Sequence, residues 1–413
     1  MRSPPPFPAG FTQLEDYLLA DVAVRIQLSP TDYAKAVARY ETINNHIDRP
    51  SSPLSGLVEL FYPQGSMAIG STIASRLTTD EFDVDTVAQL LLPPNTQPQV
   101  ALDLLYEAIR GEPGSRYYDV ARRQTRCVTI DYADRMHVDV TPMVRLSQMP
   151  ERESVIFHHR PEERSNPGYR KIANPYGFGI WVIKNIPRQP WIEEAYAVLA
   201  KSRGIALRAD AEQDPVPDQD SPYRKPLSIV ALQLLKRNRN VRYDARDVRR
   251  PPSVLLSRSV TDNAGHAVRL SDELLHQARQ LLHKLSDCQK QRTLIRVCNP
   301  VCEEDVLTDR WPETFDDQAL YIKDLSHFVE QIQRIQSGCP LDEMQDILAD
   351  LFGERPTLEV VKSFADELGA PIRQGESYYA PGIIKSAGSM LGASAAAAAG
   401  TARATPKHTF FGD

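Results

Sequence analysis

Behind Ser29-Pro30, the apolar residues Tyr33, Val37, Tyr40, Ile43 and Ile47 recur at helical spacing, with a capping hydroxyl and a first-turn proline ahead of them. An earlier helix is expected from near Thr12, after the proline-rich entry MRSPPPFPAG. The period then shortens. Phe82-Asp83-Val84-Asp85 alternates apolar and acidic, and Met136, Val138 and Val140 alternate with His137, Asp139 and Thr141, the signature of half-buried strands. A further strand-like run, RCVTIDY at 126–132, is joined to the second of these by an Asp134-Arg135 turn signal, so the two are expected to form a hairpin beside the first strand. Strands and short helices together should occupy about 55–185.

Beyond the acidic, proline-containing break DAEQDPVPDQDSP at 210–222, the pattern turns helical. LSIVALQLLKRN comes first, then LSDELLHQARQLLHKL with Ser271 as its N-cap. Helices over 317–336, 341–352 and 357–368 follow, each ended by a glycine at 338, 353 or 369. The fold class is α+β: a mixed sheet flanked by helices, then a helical domain. The divisions read from the pattern are a flexible 1–11, a core with N-terminal helices over 12–215, a helical domain over 216–372, and a flexible Ala/Gly-rich tail over 373–413.

The strand spacing places Asp83 and Asp85 on one face. Paired carboxylates repel and raise one another's pKa unless a cation lies between them, and their oxygens are the donors that Mg²⁺ prefers. A bare D-x-D is more often a solvated edge strand, so the upstream residues carry weight. Gly65-Ser66 offers free backbone and a hydroxyl at the start of a short helix, where orphan N–H groups and the dipole attract phosphate. Asp139, on the polar face of its own strand, supplies a third carboxylate.

Gly65-Ser66, then Gly70-Ser71-Thr72-Ile73, Asp83-x-Asp85 and the later HVDVTP resemble the bacterial cGAS/DncV-like nucleotidyltransferases (SMODS-type synthases), within the polymerase-β-type superfamily. NPYGFGIW at 174–181, KPLSIVALQLLKRNRN at 225–240 and NPVCEEDVLTDRW at 299–311 resemble segments of the same family in the same order. The resemblance implies a polymerase-β-like core and a helical domain of the oligoadenylate-synthetase/cGAS type. It implies two divalent ions, Mg²⁺ or alternatively Mn²⁺, on Asp83, Asp85 and Asp139, and a donor triphosphate held by Gly65, Ser66, Lys225 and Ser228. The implied activity joins NTPs, with ATP a common family substrate, into a cyclic di- or trinucleotide that acts on a downstream effector in antiphage defence. Two other readings stay open: a linear RNA-tailing or small-acceptor nucleotidyltransferase, and a catalytically silent nucleotide sensor.

Charge and cysteine content narrow the field. The 413-residue chain has a formal charge of −6, which argues against generic nucleic-acid binding and for small anionic substrates in a local basic pocket. Lys236 to Arg250 provides such a patch, with seven basic residues against two aspartates. Five scattered cysteines and no apolar run long enough for a membrane span or signal core suggest a reduced cytoplasm. His283, Cys288, Cys298 and Cys302 are spaced poorly for zinc, so buried thiols are expected instead. The chain is read as a monomer. Its tail ends in KHTFFGD, whose paired aromatics suggest a docking peptide, and the resemblance implies a ubiquitin-transfer-like partner there.

Overall fold

The computed structural model describes residues 11–73, 82–146, 152–163, 165–203, 224–265, 267–373, 378–380 and 383–384. Its first elements are helices α1 (Leu14–Ile26) and α2 (Pro30–Ile47). Ser29 caps α2 as its position suggests, its hydroxyl accepting the Asp32 N–H at 3.1 Å.

Seven strands then build one sheet: β1 (Val58–Pro63), β2 (Phe82–Leu90), β3 (Ala121–Arg123), β4 (Val128–Asp131), β5 (Met136–Arg145), β6 (Ser154–His158) and β7 (Tyr169–Ala173). Their order is β1-β2-β5-β4-β3, and β6 and β7 extend from β5. Within this sheet β2 and β5 form the parallel pair, and the remaining pairs are antiparallel. Parallel neighbours need a crossover, here through α4 (Pro98–Arg110), whose apolar side covers the sheet beside α2. The expected hairpin is β4–β5, and it lies beside β2 as the alternation suggests. The four-residue helix α3 (Gly65–Ala68) sits between β1 and β2, anchored where the Gln64 N–H donates to the Asp85 carbonyl at 2.8 Å.

The second body consists of α5 (Pro175–Asn185), α6 (Pro190–Ser202), α7 (Leu227–Tyr243), α8 (Ser253–Asp262), α9 (Leu270–Lys290), the short ribbon β8 (Cys298–Asn299) with β9 (Cys302–Val306), and α10 (Phe315–Gln336), α11 (Leu341–Phe352) and α12 (Glu354–Arg373). Its core also takes in α1, so the packing divides the chain differently from a single cut near residue 215. Ile69, Ile73 and Phe178 join this helical core from the segments next to the sheet, which fixes the seam between the two bodies.

Two boundary expectations are corrected. Ser271 lies inside α9, whose N-cap is Arg269, and its N–H is taken by Asp16 Oδ1 at 2.8 Å. Gly369 does not end its helix, because α12 continues to Arg373, whereas Gly338 and Gly353 do follow helix ends with φ of +86° and +95°. The break at 210–222 and the tail with Phe410 and Phe411 lie outside the described residues.

Arg203 ties α1, the end of α6 and α12 together. It donates to Asp21, whose side chain is fully buried, at 2.8 Å, and to Glu367 at 2.6 Å, while Arg25 also reaches Asp21 at 3.1 Å. Removing one partner of a buried pair leaves an uncompensated charge. Arg203→Met should therefore destabilise the fold by about 3 kcal/mol, the low end for such a break because Arg25 remains. Denaturant unfolding of the variant checks this, and adding Asp21→Asn should recover part of the loss.

Candidate active site

The parallel register of β2 and β5 places Asp85 opposite Asp139 and Asp83 opposite His137. Because side chains alternate, all four point to one face of the sheet. On the neighbouring strand, Thr129 stands opposite Asp139 and Asp131 opposite His137, which makes this a polar face three strands wide. Asp131 is occupied by His137 at 2.7 Å and by Nε and Nη2 of Arg122. The three candidate carboxylates are not so provided. Asp139 receives the Thr129 hydroxyl at Oδ1 and a bond from the Cys127 thiol, neither of which brings a charge.

Burial therefore raises the pKa of Asp139 and pushes that of Asp85 up to about 7, with the charge of Asp139 and then Asp83 adding to the rise in Asp85. Such half-buried acids, gathered on one face with few donors, fit a divalent cation with oxygen ligands. No group of three His, Cys, Asp or Glu side chains among the described residues is gathered closely enough to enclose an ion unaided. Mg²⁺ does not require that, since it usually takes one or two carboxylates and completes its shell with water and substrate phosphate.

Gly65 explains why the short helix can stand so close to these acids. Its φ is +58°, and a Cβ built there would fall 2.7 Å from Asp85 Oδ2. Glycine is needed for both the conformation and the approach. Gly65 and Ser66 therefore begin α3 at the edge of the acidic face, as the spacing suggests, and the loop is closed by Ser71 N–H donating to the Ser66 carbonyl at 2.9 Å.

Across a cleft of about 370 Å³ stands α7. Fifteen of its residues are buried, several of them cationic or amide, so each needs a partner. Arg237 and Asn238 donate to the Phe352 and Leu351 carbonyls at the end of α11, at 2.9 and 3.0 Å, satisfying groups that a helix end leaves open. Gln233 and Lys236 reach the other way, to the Thr72 carbonyl at 3.0 Å and the Ser71 carbonyl at 2.7 Å. Arg239 donates to the Pro251 carbonyl and to Asn240 Oδ1 at 2.8 and 2.7 Å.

The basic segment is thereby sorted. Lys236, Arg239 and Arg250 line the cleft with Ser253, whereas Arg242 pairs with Asp350, Arg246 with Asp324 and Arg249 with Glu313. Burial, with Arg239 nearby, lowers the pKa of Lys236 to about 7 despite the attraction of Asp85, and burial lowers that of Arg239 to about 9.

The far end of the cleft is apolar, with Ile156, Ala173, Phe178 and Leu307, and carries Arg126 and Asp305. Here the two Asn-Pro segments read from the sequence meet. Asp305 Oδ2 accepts the Asn174 N–H at 3.2 Å and the Asn299 side-chain amide at 3.0 Å.

Of the sequence-derived residues, Gly65, Ser66, Asp83 and Asp85 come together on the cleft wall, and Asp139 stands beside Asp85 on the next strand without lining the cleft. Ser228 is elsewhere: it is buried and its hydroxyl donates to Glu273 at 2.6 Å inside the helical body. Lys225 does not line the cleft, but it is buried, its pKa is lowered to about 7 by that burial, and it lies near enough to add to the depression of Lys236. Lys236 itself was legible only as part of a basic run. Its signal, a cation where the apolar half of the helix gives way to a polar run, depends on knowing that this run is buried too.

The profile of the Second Messenger Oligonucleotide or Dinucleotide Synthetase domain matches residues 14–157. The chain is 38% identical over 411 residues to the cyclic dinucleotide synthase CdnG of Bradyrhizobium diazoefficiens, covering 96% of this chain and 94% of that one. It is 22% identical over 378 residues to the c-di-GMP synthase of Roseivirga ehrenbergii, covering 90% and 93%. The structure of the Bradyrhizobium diazoefficiens CdnG in complex with GTP superposes with a TM-score of 0.74 at 36% identity, over 86% of this chain and 99% of that one. No helix among the described residues is long and apolar enough to cross a membrane.

Two outcomes follow from the geometry. Gly65→Ala should keep the melting temperature within a few degrees yet lose most nucleotidyl transfer, because the new methyl displaces Asp85; calorimetry and product assay on one preparation check it. A triphosphate bound without metal should favour protonated Lys236, so binding takes up protons and weakens as pH rises above about 7. Calorimetry of a non-hydrolysable GTP analogue in EDTA, in buffers of different ionisation enthalpy, reads that uptake, and Lys236→Met should diminish it.

Proposed function

The chain belongs to the bacterial cGAS/DncV-like nucleotidyltransferases, and we propose that it joins guanine-containing NTPs into a cyclic dinucleotide with release of pyrophosphate. The observation that carries the reading is one cleft with carboxylates lacking donors on one wall and buried, charge-depressed cations on the other. A metal-bound triphosphate answers both walls at once.

Asp83 and Asp85, with Asp139 behind them, would hold divalent metal, Mg²⁺ or Mn²⁺, which when bound lowers the pKa of a ribose hydroxyl and screens the phosphates. Gly65 and Ser66 bring backbone N–H groups and a hydroxyl to the donor phosphates beside Asp85. Lys236 and Arg239 offset the charge of the outer phosphates, with Lys225 nearby. The ribose oxygen forms a bond to the α-phosphorus, the bond between that phosphorus and the bridging oxygen breaks, pyrophosphate leaves, and the hydroxyl proton passes to water. Little covalent work falls to the protein, so alignment and charge stabilisation supply the rate. A second transfer in the opposite sense closes the ring.

Guanine is supported by the names of the relatives and by the apolar end of the cleft, where Asp305 is the carboxylate. The guanine edge presents an N–H and an amino group side by side, which a carboxylate accepts, whereas adenine presents a ring nitrogen that it repels. The product would act on a downstream effector protein.

Incubation with labelled GTP, ATP and their mixture in Mg²⁺ tests the reading. A guanine-containing product that resists phosphatase, appearing with pyrophosphate and lost in EDTA, is expected. Asp83→Asn, Asp85→Asn and Asp139→Asn should each remain folded and fall to near background. Phosphatase-sensitive linear chains, or label found only on an added acceptor, would favour the tailing or small-acceptor reading, and binding without turnover the silent sensor.

A further inference from the structure

Asp139 is held from both sides. From β2, the Thr86 hydroxyl donates to its backbone carbonyl at 3.0 Å, and from β4 the Thr129 hydroxyl donates to Oδ1 of its side chain. Thr129 is 6% exposed and stands opposite Asp139 in the antiparallel register, so the bond joins directly facing residues. The Cys127 thiol lies beside both side chains, and burial raises its pKa well above the ordinary thiol value, so it brings no charge.

The terminal torsion of an aspartate is broad and roughly two-fold, so burial alone does not choose which oxygen faces its neighbour. The Thr129 hydroxyl on Oδ1 makes that choice, and the neutral Cys127 thiol, a weaker donor, adds a second bond to the same side chain. The carboxylate so held stands in register with Asp85 across the β2–β5 pair. An arginine or lysine in place of Thr129 would also orient the carboxylate, but it would compete with a cation for its charge. A hydroxyl orients without neutralising.

We propose that Thr129 is a positioning residue for nucleotidyl transfer, fixing the Asp139 carboxylate in the orientation that presents it, beside Asp85, as a divalent-metal ligand. The proposal rests on the reading of Asp139 as a metal ligand given above. Its physical basis is that outer-shell hydrogen bonds orient ligating carboxylates and that losing one commonly weakens metal affinity 10- to 100-fold, by about that range.

The test compares Thr129→Val, which keeps the shape and removes the donor, with Thr129→Ser, which keeps the donor, and with Asp139→Asn. Two quantities are read: the Mn²⁺ dissociation constant by electron paramagnetic resonance with a non-hydrolysable GTP analogue bound, and the Mg²⁺ concentration giving half-maximal turnover at saturating GTP. Thr129→Val should raise both about ten-fold or more with an unchanged melting temperature, and Thr129→Ser should restore both to within about two-fold of wild type. Should the valine variant not fold, Thr129→Ala is read in its place. Wild-type metal dependence in the valine variant, or a serine variant as weak as the valine one, would overturn the positioning role. Full activity and metal affinity in Asp139→Asn would instead overturn the ligand assignment on which it rests.

Discussion

Unpaired charge held away from water on both sides of one cleft is the constraint on which this structure turns. Asp85 and Lys236 face each other as the two ends of the imbalance: the acid's pKa rises to about 7 and the ammonium's falls to about 7, each chiefly through burial. Their mutual attraction does not offset that burial, because each sits among its own kind, Asp85 with Asp83 and Asp139, Lys236 with Arg239 and Lys225. Such an arrangement is costly for a fold unless something completes it. A polyanion carrying its own cations is complementary to it, and pyrophosphate, the leaving group, has the same charge pattern.

The scaffold holds the two walls at a fixed distance by unrelated means. On the acidic side, the parallel β2–β5 register sets the carboxylates side by side, and a single residue without a Cβ lets α3 close over them. On the basic side, α7 is anchored in two directions from its middle turns, to the α11 terminus through Arg237 and Asn238 and to residues 71 and 72 through Lys236 and Gln233. Lys236 therefore has two duties, tying the helical body to the loop that follows Ser66 and presenting charge to the cleft. This links packing to chemistry. A shift of α7 moves the phosphate-facing cation and the loop together.

Much of the acidic wall was legible in the sequence, because strand alternation is a local property: Asp83 and Asp85 share a face on period alone, and the β4–β5 hairpin follows from its turn residues. The basic wall was not. Lys225 and Ser228 were carried over by resemblance, yet Ser228 proves to be bonded to Glu273 within the helical core, and the cleft-facing cations are Lys236, Arg239 and Arg250. Which of seven basic residues faces substrate is decided by which have acids within reach, and those acids, Glu313, Asp324 and Asp350, lie more than sixty positions away. The placement of α1 in the helical core was hidden for the same reason, since its partners α6 and α12 are distant in sequence. Helix ends failed where tertiary contacts intervened: Ser271 looks like a cap, but its N–H is claimed by Asp16.

If the two walls serve one ligand, their contributions to binding it cannot be independent. The most direct measurement is a double-mutant cycle of Asp85→Asn and Lys236→Met on the affinity for a Mg²⁺-loaded, non-hydrolysable GTP analogue. The account predicts strong coupling, with the double variant binding little worse than the weaker single and an interaction energy of about 1 kcal/mol or more. Losses that add within about 0.5 kcal/mol would mean that the acids and the cations act on separate things, and would contradict it.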